Sequence, residues 1–500
     1  MLDIYLWISV LLLTLTWLLS DFMTSWLFFT HHRIKFDLGI PPFGSCWRVI
    51  LNKESWSQTL KRIYYKFPNE KFIGLTEMGG HRQWLIRHPE LIKQITIFDF
   101  SHFVNRIDVV HSATDPLIGH ELTNLKISDW RQMRTILTPM LSGQRLKKIA
   151  IPALNENKID LVTFLKNEIK LTKDNVLRVD VMDLMTRSAV DAFCLTALSL
   201  KTDSLHKDGQ NYGFYDYCKS YCRHSNSISQ LMYQLILKFP RVMKYIFGKT
   251  ITHPDGNKFF AQSCQSIADK RIENQFERQD YLDLLQKKRD RSNDIDGKND
   301  KNRSDIEIIS QVFEFYESVI LENNVLSAFI AQRLAENPDI QQRLYEEFHE
   351  IQRNLKGETL THETINQMKY MDMIVSEALR MCPIAPELKR RATKPYSFTT
   401  NDGKIVPIKP GDAIWIPTFI LQTDPIYYPE PDVFNPERFS DPSSAKIPGT
   451  YGPYGMGPRA CIGCQYSTNE AKITFYHLVL EFVIETDKKG GYNVQFKLRN

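Results

Sequence analysis

Apolar residues recur every three or four positions through much of the chain, most regularly over 155–200 and 306–350. This spacing puts them on one face of a helix, so it predicts amphipathic helices in both stretches. Shorter apolar runs punctuated by Gly and Pro, over 392–417 and in the C-terminal sequence YNVQFKL, predict β-strands. We find no internal repeat. The pattern therefore predicts a mainly α-helical protein with small β-sheets.

The first thirty residues differ, because they form an apolar stretch without regular polar positions. Residues 4–19 carry no charge, and after Asp21 the apolar sequence continues to Phe29. Crossing a bilayer takes about 20 apolar residues, so the two parts together are long enough. The alternative is a cleaved secretory signal, but no Lys or Arg precedes the stretch and no small-x-small cleavage site follows it. Arg33 and Lys35 come next, and by the positive-inside rule they place the remaining chain in the cytosol.

These features divide the chain into three parts. We predict a membrane anchor over 1–30, a basic and proline-rich hinge over 31–45, and one catalytic domain over 46–500. The hinge contains GIPPFG, which cannot continue a helix because Pro lacks the N–H donor and fixes φ. Residues 287–305 are nearly all charged or polar, which predicts a flexible surface connection between two helices.

Composition excludes several classes of protein. The 500 residues include 43% hydrophobic ones, too many for a disordered tail, and the sequence lacks a collagen-like repeat. There are 63 Lys and Arg against 58 Asp and Glu, and this small excess disfavours a dedicated nucleic-acid binder. Eight Cys are too few for a disulfide framework and favour a reducing, cytosolic environment.

The strongest candidate for chemistry is YGMGPRACIG at 454–463, directly before another helical pattern. A Cys on a glycine-rich loop at the start of a helix lies where backbone N–H groups and the helix dipole favour a thiolate. A thiolate is a soft, electron-donating ligand that suits a haem iron engaged in O–O cleavage. Cys461 is therefore the candidate iron ligand. Gly457 and Gly463 leave room for a flat macrocycle, and Arg459 offers a bidentate donor to a haem propionate.

Cys461 and Cys464 also form a C-x-x-C pair, which occurs in zinc sites and in redox-active disulfides. A zinc site needs two further ligands at matching spacing, and downstream we find only His477. A redox pair is expected after a strand of a βαβ unit, whereas this one follows Gly-Pro-Arg. The sequence favours the haem interpretation.

Charged motifs upstream add to this picture. Glu377 and Arg380 are three residues apart in a helical pattern, so both side chains lie on one helix face, although such pairs are usually solvated. Arg438, beside Glu437 in the sequence PERF, supplies another charge. A buried Glu377–Arg380–Arg438 network would satisfy its charges mutually and fix the loop that carries Cys461.

Trp130 and Arg134 are four residues apart and therefore stack on one helix face, from which Arg134 could reach a propionate. By itself this pair fits a surface Arg beside a core Trp equally well.

Together and in this order, these residues resemble the cytochrome P-450 family of haem-thiolate monooxygenases, in particular insect microsomal enzymes of hormone and xenobiotic metabolism. The resemblance covers nearly the whole chain and implies a single large, mainly α-helical fold. It implies haem b with Cys461 as proximal ligand, and a cytosol-facing enzyme of the endoplasmic reticulum that oxidises an apolar small molecule with O₂. It also implies electrons from NADPH through a membrane-bound cytochrome reductase, with cytochrome b5 as a further candidate partner. Arg390, beside Arg391, matches another propionate-contacting position of the family.

One stretch departs from the family pattern. Counting back from NPDIQ at 337–341, the segment where the family's long distal helix carries A-G-x-[D/E]-T-[T/S] is Ser318–Asn323, with Leu321 at the acid position and Glu322 at the Thr position. In the family these two side chains deliver protons during O–O cleavage, and a positioned proton donor contributes typically ~10²–10⁴-fold.

Four interpretations of this departure stay open. In the first, Glu322 relays protons itself, with a pKa raised by an apolar pocket. The sequence favours residual monooxygenase chemistry. Alternatively, the protein uses peroxides or isomerises an oxygenated lipid, or binds haem but turns over poorly. It is also a candidate for a membrane-tethered haem-binding or scaffold protein without catalysis. The remaining alternative is that Glu322 points to a solvated helix face, which the register with the family disfavours.

Smaller departures are Tyr454, where the family usually has Phe, and Gln422, where a His commonly precedes Asp-Pro. By family position, substrate specificity should come from 100–125 and 210–250. The second segment is rich in aromatic residues that fit either core packing, an apolar pocket or a membrane contact: Tyr212, Phe214, Tyr215, Tyr217 and Phe239.

Overall fold

The protein is described from a computed structural model, which is mainly helical. The described residues are 16, 19–107, 110–112, 115–141, 143–206, 213–227, 230–248, 250–252, 254–275, 277–294, 304–441, 443 and 446–499.

Fourteen helices of more than eight residues, counted within the described ranges, form most of the structure. They are α1 (19–31), α2 (Trp56–Lys66), α3 (Ile127–Leu137), α4 (Ile151–Leu171), α5 (Val181–Leu198), α6 (Gly213–Ser227), α7 (Gln230–Lys238), α8 (Pro254–Glu273), α9 (Tyr281–Asp294), α10 (Asp305–Glu317), α11 (Asn324–Glu336), α12 (Pro338–Leu355), α13 (Lys369–Met381) and α14 (Cys464–Glu481).

Shorter helical turns connect these helices and strands. They are Trp47–Ile50, Pro89–Lys93, Gln94–Phe98, Phe100–His102, Pro116–Gly119, Thr138–Leu141, Gly143–Arg145, Leu146–Ala150, Pro240–Tyr245, Ser318–Asn323, His362–Ile365, Thr418–Gln422, Pro436–Phe439 and Gly457–Arg459.

The strands form three small sheets. The largest has the order β1–β2–β3–β8–β5, in which β1 pairs parallel with β2 and β3 parallel with β8, while β2–β3 and β5–β8 are antiparallel. The second has the order β4–β10–β9 and the third pairs β6 with β7, all antiparallel. The strands are β1 (Phe36–Asp37), β2 (Phe72–Thr76), β3 (Arg82–Ile86), β4 (Val176–Asp180), β5 (Leu388–Arg391), β6 (Tyr396–Thr399), β7 (Ile405–Ile408), β8 (Ala413–Ile416), β9 (Phe482–Thr486) and β10 (Asn493–Leu498).

The larger apolar core lies among the helices. Helix α5 is buried on nearly all sides, including Ala189, Val190 and Phe193, as expected for a helix in the centre of a large domain. A second core lies between the five-stranded sheet and α2, where Trp84 of β3 is fully buried. The candidate site lies where these two parts of the molecule meet.

Helix α10, an irregular turn and helix α11 follow one another directly and together form one long helix. Helix α10 begins with a capping box formed by Ser304 and Glu307, and α11 ends before Pro338, which opens α12. Between α10 and α11, residues Ser318–Asn323 form a π turn, which inserts one extra residue into the helical repeat. This turn coincides with the segment that departs from the family pattern.

Most of the predicted elements are confirmed, with two corrections. Strand β4 interrupts the helical pattern of 155–200, because Val176–Asp180 pairs with β10. The polar segment 287–305 is not entirely a connection. Helix α9 continues to Asp294, where Lys287 forms ion pairs with Asp283 and Glu277, and 295–303 lie outside the described residues.

The predicted anchor falls largely outside the described residues, since 1–15, 17 and 18 are not among them. Within the part of the chain that the structure describes, we find no helix long and apolar enough to cross a bilayer.

Candidate functional site

A cavity of about 530 Å³ lies between α3, the π turn, β5 and the loop 454–463. Its volume falls within the range of ~300–1,000 Å³ that is usual for small-molecule sites. Cys461 lies on one side, which we call the floor, and Ser318 and Glu322 lie on the other, which we call the roof. The cavity brings together Trp130, Arg134, Arg390, Arg459, Cys461, Gly463 and Glu322 from the predicted site residues.

The floor is a tight loop at the start of α14. The Cys461 N–H donates to the Tyr454 carbonyl at 2.7 Å, and Gly463 is the N-cap of the helix. A Cβ on Gly463 would meet nothing closer than Cys461 Sγ at 4.0 Å, so the backbone is open to the cavity there. Gly457 has a different role from the predicted one. Its φ is +72° and a Cβ would lie 1.8 Å from the Thr96 carbonyl, so it permits contact with the protein backbone instead of a macrocycle.

The predicted charged network lies below the floor and is buried. Arg380 donates to both oxygens of Glu377, at 2.7 and 2.9 Å, and both side chains are 0% exposed. Arg438 Nε lies 3.6 Å from Glu377 Oε1, which also accepts from the Asn435 N–H at 3.0 Å. The structure thus brings these three charges together as predicted.

Gln422 joins this network to the cysteine loop. Its carbonyl accepts from Arg380, and its side-chain amide donates to the carbonyls of Leu379 and Arg380. Its side-chain oxygen accepts from the Gly452 N–H at 2.9 Å, two residues before Tyr454. Gln422 replaces the family's usual His, and both N–H donors and the oxygen of its side-chain amide form hydrogen bonds.

Four arginines surround the cavity: Arg106, Arg134, Arg390 and Arg459. Among the described residues none of them forms an ion pair with a carboxylate. Burial, followed by repulsion from neighbouring arginines, lowers the pKa of Arg390 to about 9 and that of Arg459 to about 8. Arg390 Nε is buried without an acceptor, whereas Arg391 is turned towards the Gly411 carbonyl and lies outside the cavity lining. The cluster has the chemistry of a site for a ligand with negative charges.

Arg459 is held more firmly than a simple propionate donor would be. Its guanidinium donates to the carbonyls of Val104, Leu122 and Leu125 and lies 4.2 Å above the ring of Trp130. Three of its five N–H groups are therefore used within the protein, which leaves two for a ligand.

Glu322 lines the cavity, and its side chain is accessible to solvent. Burial, together with the carboxyl groups of Glu317 and Glu314, raises its pKa to about 7, and Arg106 opposes this shift. Leu321, at the family's acid position, is partly exposed and does not line the cavity. The only ionisable side chain that the π turn brings to the cavity, among the described residues, is thus a carboxyl group titrating near neutral pH.

Comparison with known proteins decides the family. A sequence profile described as Cytochrome P450 matches residues 41–497. The chain belongs to the cytochrome P450 family. It is similar to "Probable cytochrome P450 9f2" of Drosophila melanogaster, with 32% identity over 93% of this chain and 90% of that protein. It is also similar to "Cytochrome P450 9e2" of Blattella germanica, with 30% identity over 97% and 93%.

Cytochrome P450 enzymes are haem-containing oxidoreductases of the monooxygenase type. The side chains that line the cavity are of the types that bind haem. Cys461 offers a soft sulfur ligand on the floor, and Arg134 lines the same cavity. The arginines without carboxylate partners have the charge that two propionates would need, and Arg390 Nε is buried without an acceptor.

Burial opposes the thiolate form of Cys461, which the helix start was expected to favour. Burial raises the pKa of the Cys461 thiol to about 12, and the Gly463 N–H offsets this only in part. Both Cys461 and Cys464 are free thiols, and His477 is hydrogen bonded to Asn155 instead of facing them.

The cytochrome P450 site contains residues that the sequence analysis missed. Arg106 belongs to no motif, and neither do the buried Glu121 and the half-buried Glu314 and Glu317 near the roof. A second missed feature joins the floor to the π turn. Tyr454 OH lies 2.9 Å from Ser467 Oγ, Ser467 donates to Asn323 at 2.5 Å, and Asn323 donates to Glu470, which pairs with Lys158.

The aromatic residues of 210–250 are mostly core residues. Phe214, Tyr215 and Tyr217 are buried against α5, α8 and α10, while Phe239 is half exposed. Tyr212 lies outside the described residues. Tyr233 lines the cavity, which agrees with a contribution of this segment to substrate contacts.

Proposed function

We propose that this cytochrome P450 oxidises an apolar small molecule with O₂, using electrons that NADPH supplies through a membrane-bound reductase. Cytochrome b5 is a further candidate donor. The observation that supports this most directly is the pairing of Cys461 on the cavity floor with four arginines that lack carboxylate partners among the described residues. Such a donor set suits haem b, with one thiolate ligand and two propionates.

The proposed roles of the floor residues follow from their contacts. Cys461 would hold the iron, and Arg134, Arg390 and the two spare N–H groups of Arg459 would hold the propionates. Trp130 would hold the orientation of the Arg459 guanidinium, which lies over its ring. When bound, the haem supplies O₂ activation. The protein orients the substrate, excludes water and supplies protons.

An apolar substrate is favoured by the rest of the cavity lining. Ile107, Leu137, Leu141, Phe315 and Ile384 contribute hydrocarbon surface to it. Burying apolar substrate surface there contributes about 25 cal/mol per Å². The lining therefore supports a lipid, hormone or xenobiotic of low polarity, and orientation would come from the few polar groups at the roof.

A membrane location is supported by an exposed apolar segment after α7. Phe239, Tyr245, Ile246 and Phe247 are 50, 70, 72 and 60% exposed. Residues 77–80 connect this segment with α1, since Lys238 donates to the Met78 carbonyl and Ser25 donates to the Gly80 carbonyl. An apolar surface of this kind beside the predicted anchor fits contact with the endoplasmic reticulum membrane.

Glu322 would deliver protons in place of the family's acid–alcohol pair. Its carboxyl group faces the cavity, and a pKa near 7 lets it hold a proton and release it at neutral pH. The same observation favours a second candidate function. Without an alcohol at this position, the enzyme could use organic peroxides or isomerise an oxygenated lipid, and need no protons for O₂ activation.

The reduced, carbon-monoxide-bound spectrum of the haem-loaded protein tests thiolate ligation directly. We expect the long-wavelength band of a thiolate-bound haem, and its absence would overturn the proposal. Turnover with NADPH and purified reductase, compared with turnover on cumene hydroperoxide, separates the two functions. Oxygenated product from NADPH supports the monooxygenase, whereas product from the peroxide alone supports the second candidate.

Glu322→Thr restores the family's residue and tests proton delivery. We expect more product per NADPH consumed and less hydrogen peroxide, because the hydroxyl group then takes the place of a slower carboxyl relay. An unchanged ratio would contradict the role given to Glu322.

A further inference from the structure

The roof residue Glu322 is placed by the backbone and not by contacts of its own carboxyl group. Among the described residues no donor forms a hydrogen bond with that group, and Arg106, Glu314 and Glu317 act on it only through space. A side chain held in this way points where the π turn directs it. The position of the carboxyl group at the cavity therefore depends on what fixes that turn.

Asn323, the next residue and the last of the π turn, has the opposite environment. Its side chain is buried, and both ends of its amide form hydrogen bonds. The oxygen accepts from Ser467 Oγ at 2.5 Å, and the nitrogen donates to Glu470 Oε2. Ser467 and Glu470 are three residues apart in α14, so they lie on one face of that helix. Asn323 therefore ties the end of the π turn to α14.

Glu470 is a firm partner for this contact, because its other oxygen is also held. Lys158 Nζ of α4 lies 3.3 Å from Glu470 Oε1 and donates to Ser188 Oγ of α5 at 2.9 Å. Lys158 and Glu470 are both buried. A buried ion pair with further hydrogen bonds has few alternative arrangements. Helices α4, α5 and α14 thus meet at the carboxylate that accepts from the Asn323 amide.

Ser467 continues the contact to the floor of the cavity. Its Oγ lies 2.9 Å from Tyr454 OH, and the Tyr454 carbonyl accepts from the Cys461 N–H at 2.7 Å. One series of hydrogen bonds therefore runs from the neighbour of Glu322 to the loop that carries the candidate iron ligand. This series fixes the π turn relative to the floor as well as to α14.

The sequence of the π turn gives the backbone no other reason to be irregular. Ser318–Asn323 contains neither Gly nor Pro, which are common causes of irregular helical backbone. A π turn is rare, and a continuous helical segment ordinarily keeps the α repeat. Since an α-helix advances by about 100° per residue, a return to that repeat would rotate the side chains on one side of the turn relative to the other. Glu322 would then change direction.

We propose that Asn323 is a positioning residue that holds the π turn against α14 and thereby keeps the Glu322 carboxyl group at the cavity, a role that rests on the proposed monooxygenase function. Asn323 does not line the cavity, so it acts through Glu322. It stands at the last position of the family segment, where the pattern has Thr or Ser. A hydroxyl group there is shorter, and its one oxygen would have to serve both Ser467 and Glu470.

The test uses Asn323→Leu in the haem-loaded protein, because Leu has the branching of Asn and forms no hydrogen bonds. Glu470 keeps Lys158 as a partner and Ser467 keeps Tyr454, so we expect this variant to fold. The first readout is the C–O stretching frequency of the reduced, carbon-monoxide-bound haem, which responds to polar groups at the roof. Glu322→Ala removes the carboxyl group and should shift this frequency. Asn323→Leu should shift it in the same direction.

The second readout is the amount of product per NADPH consumed. It should fall at least ~10-fold in Asn323→Leu, because a proton donor that has moved away loses a contribution of typically ~10²–10⁴-fold. In a Glu322→Ala background, Asn323→Leu should have no further effect on either readout, because Asn323 acts through Glu322.

Ser467→Ala breaks the same contact from α14 with a smaller change of volume. It should shift the C–O frequency in the same direction, and it carries the test if Asn323→Leu does not take up haem. Asn324→Leu is the matched control. Asn324 is the buried neighbour of Asn323, and its Nδ2 donates to Thr186 Oγ1 of α5 at 2.6 Å instead of to α14. This control should leave both readouts unchanged.

The C–O frequencies decide the outcome. A parental frequency in Asn323→Leu and Ser467→Ala, where Glu322→Ala shifts it, overturns the proposal. A frequency that Glu322→Ala leaves unchanged overturns it too, because the carboxyl group is then not at the cavity. An equal shift in Asn324→Leu would show general loosening of the helix and would contradict a specific role of Asn323. The infrared measurement needs bound haem but no turnover, so a protein that forms no product from NADPH fails the proposed function and still tests the positioning.

Discussion

The floor and the roof of the cavity treat buried charge in opposite ways. Below the floor, the carboxylate of Glu377 is fully buried and meets Arg380 in a bidentate pair, with Arg438 nearby. At the roof, Glu121 is also buried and Glu317 is half-buried, but their charged neighbours are other acids instead of cations. Opposite charges hold one geometry, whereas like charges compete for protons. The charges below the floor therefore fix the position of the cysteine loop, whereas the charges at the roof favour protonated carboxyl groups.

This difference matches where the chain follows its family and where it does not. The motifs that hold the cysteine loop are intact, and their side chains make the expected contacts. The long helix departs from the family pattern at the π turn, where Glu322 stands at the usual Thr position with the carboxyl groups of Glu314 and Glu317 nearby. The four predictions that follow test this contrast.

The largest expected effect is at the floor. Cys461→His should abolish the long-wavelength band of the reduced, carbon-monoxide-bound haem, because imidazole replaces the thiolate. Cys464→Ser is the matched control in the same loop, and it should keep the band. A band that survives the first substitution or disappears with the second would place the ligand elsewhere.

Glu377→Gln should lower the free energy of unfolding by about 3–5 kcal/mol, because Arg380 is left charged and unpaired in the interior. Chemical denaturation measures this. Glu437→Gln, which breaks an exposed pair with Arg343, should cost less than about 1 kcal/mol. Equal effects of the two substitutions would remove the distinction between buried and exposed pairs.

At the roof, pH should separate the parent protein from Glu322→Gln. Burial raises the pKa of Glu322 from 4.5 to about 7, so the folded state binds more protons than the unfolded state between these values. The carboxyl group should therefore cost stability progressively as pH rises from about 4.5 to about 7, relative to Gln. Unfolding free energies measured across this window should show that trend, and the opposite slope would contradict it.

The smallest effect concerns the connection between the two regions. Tyr454→Phe removes the hydrogen bond to Ser467 and should cost about 0.5–1.5 kcal/mol of unfolding free energy, with the long-wavelength band kept. Tyr65→Phe, at a side chain 41% exposed, should change the free energy very little. Loss of the band in Tyr454→Phe would mean that this hydroxyl group also holds the ligand loop.

Features local in sequence were the ones that sequence reasoning predicted well. Glu377 and Arg380 share a helix face because they are three residues apart, and Trp130 lies on the cavity side of α3 with Arg134 for the same reason. The order of the motifs predicted the fold class. Helix or strand periodicity was sufficient for α4, α5 and β6–β8, while β4 was missed because its partner strand lies at the other end of the chain.

The remaining features depend on contacts between distant segments. Glu121 meets Glu317, and Tyr454 reaches Asn323 through Ser467, at separations that no local pattern encodes. Arg459 was expected to bind a propionate, but three backbone carbonyls take part of its donor capacity. The directions in which backbone carbonyls of a loop point depend on tertiary packing, and the residue types alone do not reveal them.

The π turn also sets the rotational phase of the long helix. An α-helix advances by about 100° per residue, so one additional residue turns everything after it relative to what comes before. The face of α10 that carries Glu314 and Glu317 and the face of α11 that packs on the core are therefore offset. Deleting a single residue from Ser318–Asn323 would rotate α10 or α11 about its axis and break its packing against the core. A length change there is a more drastic mutation than any substitution in the same turn.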